Sequence, residues 1–335
     1  MKLQTRLAPT PSGYLHLGNA WSFVLTWLAA RSQGGKIHLR IDDLDAARYR
    51  DEYLEDIFET LHWLGLDWDS GPRNAVEFKA MYSQRLRLKR YHEALNGLKE
   101  TGKVYACTCS REQIRRDGEA VGIAVYPGTC REKGLRLDSE GEALRFRADA
   151  MVKARDESGK VFELYPQRDM GDVVLRQKNG DPSYQLASVV DDEDAGINFV
   201  VRGMDLMPST GSQLNLAEIL GWKTFPSARF WHHALVLDNA GGKLSKSSGV
   251  RSLSARPELV ERVVEGPDAP TESIRVLRGK FPDSSHVCRY FARYLGMESN
   301  GVFSVRDLLA GFWMEKVATM PLNLSDFWSG LDKGV

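Results

Sequence analysis

Two short segments constrain this chain most. Pro11-Ser12-Gly13-Tyr14-Leu15-His16-Leu17-Gly18-Asn19 forms a Pro- and Gly-broken loop that runs straight into a helix. More than two hundred residues later, Lys243-Leu244-Ser245-Lys246-Ser247 lies in a Gly- and Ser-rich stretch. His16 and Asn19 stand at a helix start, where free backbone N–H groups and the positive dipole end attract phosphate. Lys243 and Lys246, three positions apart, can reach the same phosphates from the other side. If both segments serve one polyphosphate, the fold must return a late loop to its first one.

The local pattern around the first segment suits that demand. Leu3 to Leu7 alternates like a strand, and Pro9, Pro11 and Gly13 break it into a loop where Gly18 permits close backbone approach. The helix that follows carries Trp21, Val24, Leu25 and Leu28 at helical spacing and stops near Gly34-Gly35. Lys36 to Ile41 reads as a second strand, parallel to the first if the helix is a crossover. Such a unit belongs in a Rossmann-like, doubly wound parallel α/β sheet, which places ligand loops at the ends of its strands.

Further along, Asp51 is positioned to cap a helix whose Leu54, Ile57, Phe58, Leu61 and Leu64 form a core-facing stripe. A second amphipathic helix is expected over about Ser83 to Lys99. Residues 103–137 look irregular, and Ala143 to Phe146, Val173 to Arg176 and Ile197 to Val201 read as strands. Past Gly249 the chain reads as mostly helical, with a capping box at Ser304-Val305-Arg306-Asp307.

Formal net charge is zero, so overall charge argues neither for nor against nucleic acid. Its distribution is uneven. Arg40 to Asp69 holds ten acidic and three basic residues, whereas Met81 to Arg116 holds nine basic and three acidic ones. A basic segment can meet a phosphate backbone, although a solvated helix face explains one equally simply. The longest apolar stretch, Ala20 to Ala30, is too short to span a bilayer, and Met1 to Gly18 lacks the apolar core of a signal peptide. The expectation is a cytoplasmic protein with no membrane partner.

Cys107, Cys109 and Cys130 cluster in a loop-rich segment, apart from Cys288. In a reducing compartment such clustering favours a metal over a disulfide, and zinc takes three thiolates with one further donor. Free structural thiols beside a core tyrosine are the alternative.

Either phosphate segment alone is weak evidence, since lone histidines in turns and Lys-Leu-Ser-Lys loops are commonly structural. Together, in this order, they resemble the two signatures of class I aminoacyl-tRNA synthetases. Other segments resemble the glutamate-specific branch: Arg6-Leu7-Ala8-Pro9-Thr10-Pro11-Ser12-Gly13, Arg40 to Arg48, Leu64 to Pro72, Tyr184 to Asp192 and Val201 to Leu206. The resemblance runs from about Arg6 to Gly249. It implies that His16, Asn19, Lys243 and Lys246 are catalytic and that these four, with Gly18, bind ATP accompanied by Mg2+. It also implies a glutamate pocket of Arg6, Ala8, Thr10, Asp42, Tyr184 and Arg202. In that pocket the arginines hold carboxylates, Asp42 faces the ammonium group and Tyr184 donates a hydrogen bond. The family usually has Glu where this chain has Asp42.

Cys107-Thr108-Cys109 followed by Tyr126-Pro127-Gly128-Thr129-Cys130 further resembles the zinc site of the glutamyl-queuosine tRNA(Asp) synthetase family. These are truncated paralogues of glutamyl-tRNA synthetase. The resemblance implies Zn2+ held by Cys107, Cys109, Tyr126 and Cys130. Only 86 residues follow Gly249, less than a full anticodon-binding domain needs. The expected organisation is a first catalytic half (1–104), a zinc-bearing insertion (105–180), a second catalytic half (181–250) and a short helical tail (251–335). The expected activity is that of a monomeric ligase. It activates L-glutamate with ATP and transfers it to queuosine at the wobble position of tRNA(Asp). A minimal enzyme charging tRNA(Glu), or a non-catalytic tRNA- or ATP-binding paralogue, are the alternatives. Ser254 to Ser285 has no role legible in its residues.

Overall fold

The computed structural model describes residues 2–120, 122, 125–148, 151–237, 273–298, 301–314, 317 and 322–323. The lysine pair Lys243 and Lys246 lies outside them, as does most of the stretch Ser254 to Ser285. The described chain divides into two compact units: Met1–Tyr82 with Val201–Met204 and His233–Val335, and Ser83–Val200 with Asp205–His232.

In the first unit, β1 (Gln4–Leu7) and β2 (Lys36–Leu39) pair in parallel through the crossover helix α1 (Leu17–Ser32). A second parallel pair joins Val236–Leu237 to Leu322–Asn323. Helix α1 buries Trp21, Val24, Leu25 and Leu28, matching the apolar spacing. Helix α2 (Asp51–Trp63) buries Leu54, Ile57, Phe58 and Leu61. Its start corrects one expectation. Arg50, with extended backbone, is the capping position, and Asp51 is the first residue inside the helix. There its carboxylate accepts from the Tyr49 hydroxyl at 2.8 Å and pairs with Lys79 at 2.8 Å, while its charge still suits the positive helix end.

The segment Leu64 to Pro72 is a structural joint. Arg31 from α1 reaches Asp67 and Asp69, each at 2.8 Å. Trp27 Nε1 donates to Asp67 at 2.7 Å, and the Ile37 amide donates to Asp69 at 2.8 Å. Gly71 has φ +103°, and a Cβ there would lie 2.2 Å from the Leu39 carbonyl oxygen, so only glycine fits.

In the second unit, Leu88–Glu100 is helical, preceded by a 3-10 turn at Gln84–Arg87. It packs on the helix Tyr184–Asp194 through buried Asp191, which accepts from Gln84 and Arg87 at 2.8 Å and from the Tyr91 hydroxyl at 2.9 Å. Arg87 and Arg90 also pair with Asp194. Part of the basic segment is therefore spent on ion pairs within the unit. Residues 103–137 are more regular than expected: Val104–Cys107 is a strand and Arg111–Ala120 a helix.

The sheets are mixed rather than one doubly wound parallel sheet among the described residues. Strands β3 (Val104–Cys107), β4 (Ala143–Phe146) and β7 (Val174–Arg176) form an antiparallel sheet in the order β3-β4-β7. Strands β5 (Val152–Asp156), β6 (Val161–Leu164), β8 (Phe199–Gly203) and β9 (Arg229–His233) form another in the order β6-β5-β9-β8. There β5 pairs antiparallel with β6 but parallel with β9. Crossing this mixture, β8 carries the chain from the second unit into the first at Val201.

Candidate active site and thiol cluster

His16 stands at the capping position of α1, with φ −114° and ψ 172°. Its amide donates to Asn19 Oδ1 at 3.0 Å, the backward half of a capping box. A Cβ at Gly18 would sit 3.1 Å from the His16 ring, so glycine gives the imidazole its place over the first helical turn. Leu15 donates its amide to Asp56 Oδ2 at 3.2 Å, which fixes the loop on α2.

Asp56 is itself gripped by Arg278, Nη2 to Oδ1 at 2.9 Å, from helix Ile274–Lys280. Arg278 also reaches Glu59 at 2.7 Å and the Thr60 hydroxyl at 3.1 Å. Burial raises the Asp56 carboxyl above its usual range, against the Leu15 amide and the Arg278 charge. Nearby, Arg275 lies 4.6 Å over the Tyr14 ring and donates to its hydroxyl. A backbone bridge from His16 to Ser273 and the Ile274 amide on the Leu15 carbonyl, at 2.8 Å, complete the joint. The sequence reading missed this clamp. Arg278 lies 222 positions from Asp56, and no local pattern joins them.

Five residues of the expected glutamate pocket lie in the first unit: Arg6, Ala8, Thr10, Asp42 and Arg202. Arg6 and Arg202 are 5% and 3% exposed, and Arg6 Nη1 donates to the carbonyl of Val201, beside Arg202. The Asp42 amide donates to the Pro9 carbonyl at 2.9 Å, holding the Ala8–Thr10 loop against the chain that leaves β2. Asp42 is buried, and Arg40 binds both its oxygens, Nε to Oδ1 at 2.7 Å and Nη2 to Oδ2 at 3.1 Å. Tyr184 lies in the second unit, partly exposed at the start of helix Tyr184–Asp194, whose cap is the Ser183 hydroxyl.

The cysteine expectation meets a compact cluster in the second unit. The Cys107, Cys109 and Cys130 sulfurs all lie within 4.8 Å of one another, and all four cysteines of the chain are free thiols. Cys109 and Cys130 are 3.5 Å apart, and the Tyr126 hydroxyl lies 3.4 Å from Cys107 and 4.0 Å from Cys109. Tetrahedral zinc with thiolates at 2.3 Å would space sulfurs about 3.8 Å apart. These side chains fit that requirement with little movement. Burial opposes ionisation at Cys130, yet hydrogen bonds from Thr108, Tyr126 and Cys109 bring it down to about 6. Burial and the neighbouring thiols push Cys109 up to about 12. Gly171, at φ +65°, lies against the Tyr126 backbone, where a Cβ would sit 3.0 Å from the carbonyl oxygen.

Residues 2–278 match the family of class I tRNA synthetases for Glu and Gln, over its catalytic domain. The chain belongs to that family. It is thus a class I synthetase, a ligase. It is 43% identical over 258 residues to a glutamyl-Q tRNA(Asp) synthetase of Nitratidesulfovibrio vulgaris, covering 73% of this chain and 78% of the relative. It is 37% identical over 286 residues to one of Rhodobacter capsulatus, covering 78% of this chain and 99% of the relative. A glutamate–tRNA ligase of Oleidesulfovibrio alaskensis is 37% identical over 257 residues, but the match spans 75% of this synthetase and 53% of that ligase. In fold the synthetase is similar to a glutamate tRNA ligase of Elizabethkingia meningosepticum solved in complex with its amino acid. That match has TM-score 0.72 and 25% identity, over 96% of this chain and 67% of the other. Among the described residues no helix is long and apolar enough to cross a membrane.

Proposed function

We propose that this synthetase activates L-glutamate with ATP and transfers it to queuosine at the wobble position of tRNA(Asp), as a cytoplasmic monomer. In the first step an α-carboxylate oxygen attacks the α-phosphorus of ATP and the bond to pyrophosphate breaks, giving glutamyl-adenylate. In the second, a hydroxyl of the queuosine cyclopentene-diol attacks the acyl carbon, loses its proton and expels AMP. A splayed, unstacked base can reach an active site directly, as single-stranded RNA recognition commonly requires.

His16 and Asn19 donate to the phosphates at the α1 start, where charge builds in the transition state, and Gly18 keeps that approach open. Lys243 and Lys246 neutralise the departing pyrophosphate, and Mg2+ accompanying the ATP would offset further phosphate charge. Arg6 and Arg202 take the two substrate carboxylates, because buried guanidiniums pair best with planar anions. Asp42 faces the ammonium group, Tyr184 donates a hydrogen bond, and Ala8 and Thr10 line the pocket.

Cys107, Cys109, Cys130 and Tyr126 would hold Zn2+. With four protein donors the metal's contribution would be structural, ordering the loops that lead out of β3. The observation that carries the queuosine reading is the Tyr126 hydroxyl among the three sulfurs, because that ligand set resembles the queuosine-modifying subgroup.

The test is transfer of radiolabelled glutamate to tRNA(Asp) with and without queuosine, beside tRNA(Glu), with glutamate-dependent ATP–pyrophosphate exchange measured without RNA. Label on queuosine-containing tRNA(Asp) alone is the expected outcome. Label on tRNA(Glu) would make the chain a minimal charging enzyme, like the glutamate–tRNA ligase to which it is 37% identical. Neither exchange nor label would leave a non-catalytic paralogue.

A further inference from the structure

The thiol cluster raises a question of charge. Three thiolates and a phenolate around one divalent cation leave roughly two negative charges uncompensated in a buried site. Two cations lie close: Lys178 Nζ donates to the Thr108 carbonyl, between Cys107 and Cys109, at 2.6 Å, and Arg145 lies against the phenol. The Arg145 guanidinium lies 3.9 Å from the centroid of the Tyr126 ring, and the residue is 8% exposed. It sits on β4 directly opposite Tyr105 of β3, the strand that ends at Cys107.

The other partners of Arg145 do not account for its charge. Its Nη1 donates to the Asp172 carbonyl oxygen at 2.6 Å, and its Nε makes no hydrogen bond. The Asp172 carboxylate is engaged elsewhere. It accepts from Arg131 Nε and Nη2 at 2.5 Å each, from the Ala148 amide at 3.0 Å and from the Tyr105 hydroxyl. Arg145 is therefore a buried cation that bonds a neutral carbonyl and covers a phenol ring. A buried guanidinium is costly without a nearby anion; the Asp172 carboxylate is shared with Arg131, and a phenolate at Tyr126, under the guanidinium, would be a second anion.

We propose that Arg145 is a positioning residue of the metal centre: it holds the Tyr126 ring so that its oxygen joins the three sulfurs, and it balances their excess negative charge. This rests on the zinc reading above. Neighbouring groups that orient ligands commonly change metal affinity 10- to 100-fold when removed.

The experiment uses the full chain and Zn2+ alone, with affinity read by competition against a chromophoric chelator. A second readout is the ultraviolet difference signal of a metal-bound phenolate on zinc loading. Arg145→Met is expected to weaken zinc about 10- to 100-fold and to diminish the phenolate signal. Arg145→Lys, which keeps a cation over the ring, should recover most of both. Arg145→Gln, which keeps a donor for the Asp172 carbonyl but no charge, should behave like Arg145→Met, and it serves if the methionine variant does not fold. In a Tyr126→Phe background the loss from Arg145→Met should shrink several-fold, as coupled groups require. Full rescue by Gln, or the same loss in both tyrosine backgrounds, would reduce Arg145 to a structural hydrogen bond and overturn the proposal. Unchanged affinity in the Met and Gln variants would overturn it too, leaving the zinc reading intact. A wild-type chain that binds no zinc would overturn both.

Discussion

Asp56 and Arg278 form a buried ion pair, 2.9 Å between Oδ1 and Nη2, which joins the helix after β2 to the helix Ile274–Lys280. The other carboxylate oxygen of Asp56 takes the Leu15 amide, next to His16. One buried acid thus links the first phosphate segment to chain that follows the lysine-rich one in sequence.

Arg278→Met should cost about 3–5 kcal/mol, because it leaves the Asp56 charge buried without its partner. The cost should depend on pH. Burial already raises the Asp56 carboxyl in the fold, so its contribution to stability is fullest below about 3.8 and is lost as pH rises through the raised value. Removing Arg278 raises that value further. Denaturant titrations at pH 7.5 and 5 should therefore show the gap between variant and wild type narrowing at the lower pH. A gap that widens on acidification would mean that Asp56 is not ionised against Arg278.

Gly18→Ala separates helix stability from chemistry. Alanine in place of glycine favours a helix by up to about 1 kcal/mol, but its Cβ would lie 3.1 Å from the His16 ring and push it aside. Thermal stability should stay within about 1 kcal/mol of wild type while glutamate-dependent pyrophosphate exchange falls roughly tenfold, the worth of about 1.4 kcal/mol of transition-state stabilisation. Unchanged exchange would show that the ring position does not matter to activation.

How much of this is legible in the residues depends on the kind of signal. The start of the chain is legible because Leu3 to Leu7 alternates, Pro and Gly mark the loop and α1 carries an apolar stripe. The helix Arg111–Ala120 is not, since it buries only Gly118 and periodicity has no apolar face to report. The helix Met207–Ile219 fails for the opposite reason: it is buried on nearly every side, with Ser209, Thr210, Ser212, Gln213 and Asn215 inside, so no stripe forms. At the thiols, the cysteine spacing foretells a cluster. Arg145, which covers the Tyr126 ring, arrives through pairing between strands nearly forty residues apart in sequence and has no local mark. The clamp of Asp56 by Arg278 is illegible for the same reason.

Gly71→Ala tests whether Leu64 to Pro72 is a joint of the fold. The positive φ strains any side chain, and the added Cβ would overlap the Leu39 carbonyl in β2 at 2.2 Å. A loss of about 3 kcal/mol or more is expected in chemical denaturation. A variant of wild-type stability would show that the turn can rebuild itself around alanine.

Asp42 decides how well the proposed pocket holds the ammonium group. Both its oxygens are bound by Arg40, and its arm is one methylene shorter than the usual glutamate. Asp42→Glu should extend the carboxylate toward the substrate and lower the KM for glutamate several-fold, with the KM for ATP unchanged. Asp42→Asn should raise the glutamate KM about 10- to 100-fold, the worth of a charge-assisted hydrogen bond. It should also destabilise the fold, because the buried Arg40 guanidinium loses the charge of one of its partners. Steady-state exchange kinetics with each substrate varied, run beside denaturant melts, separate the two effects. If Asp42→Glu raises the glutamate KM instead, the pair with Arg40 is the geometry that the pocket depends on, and the ammonium group is held by a different residue.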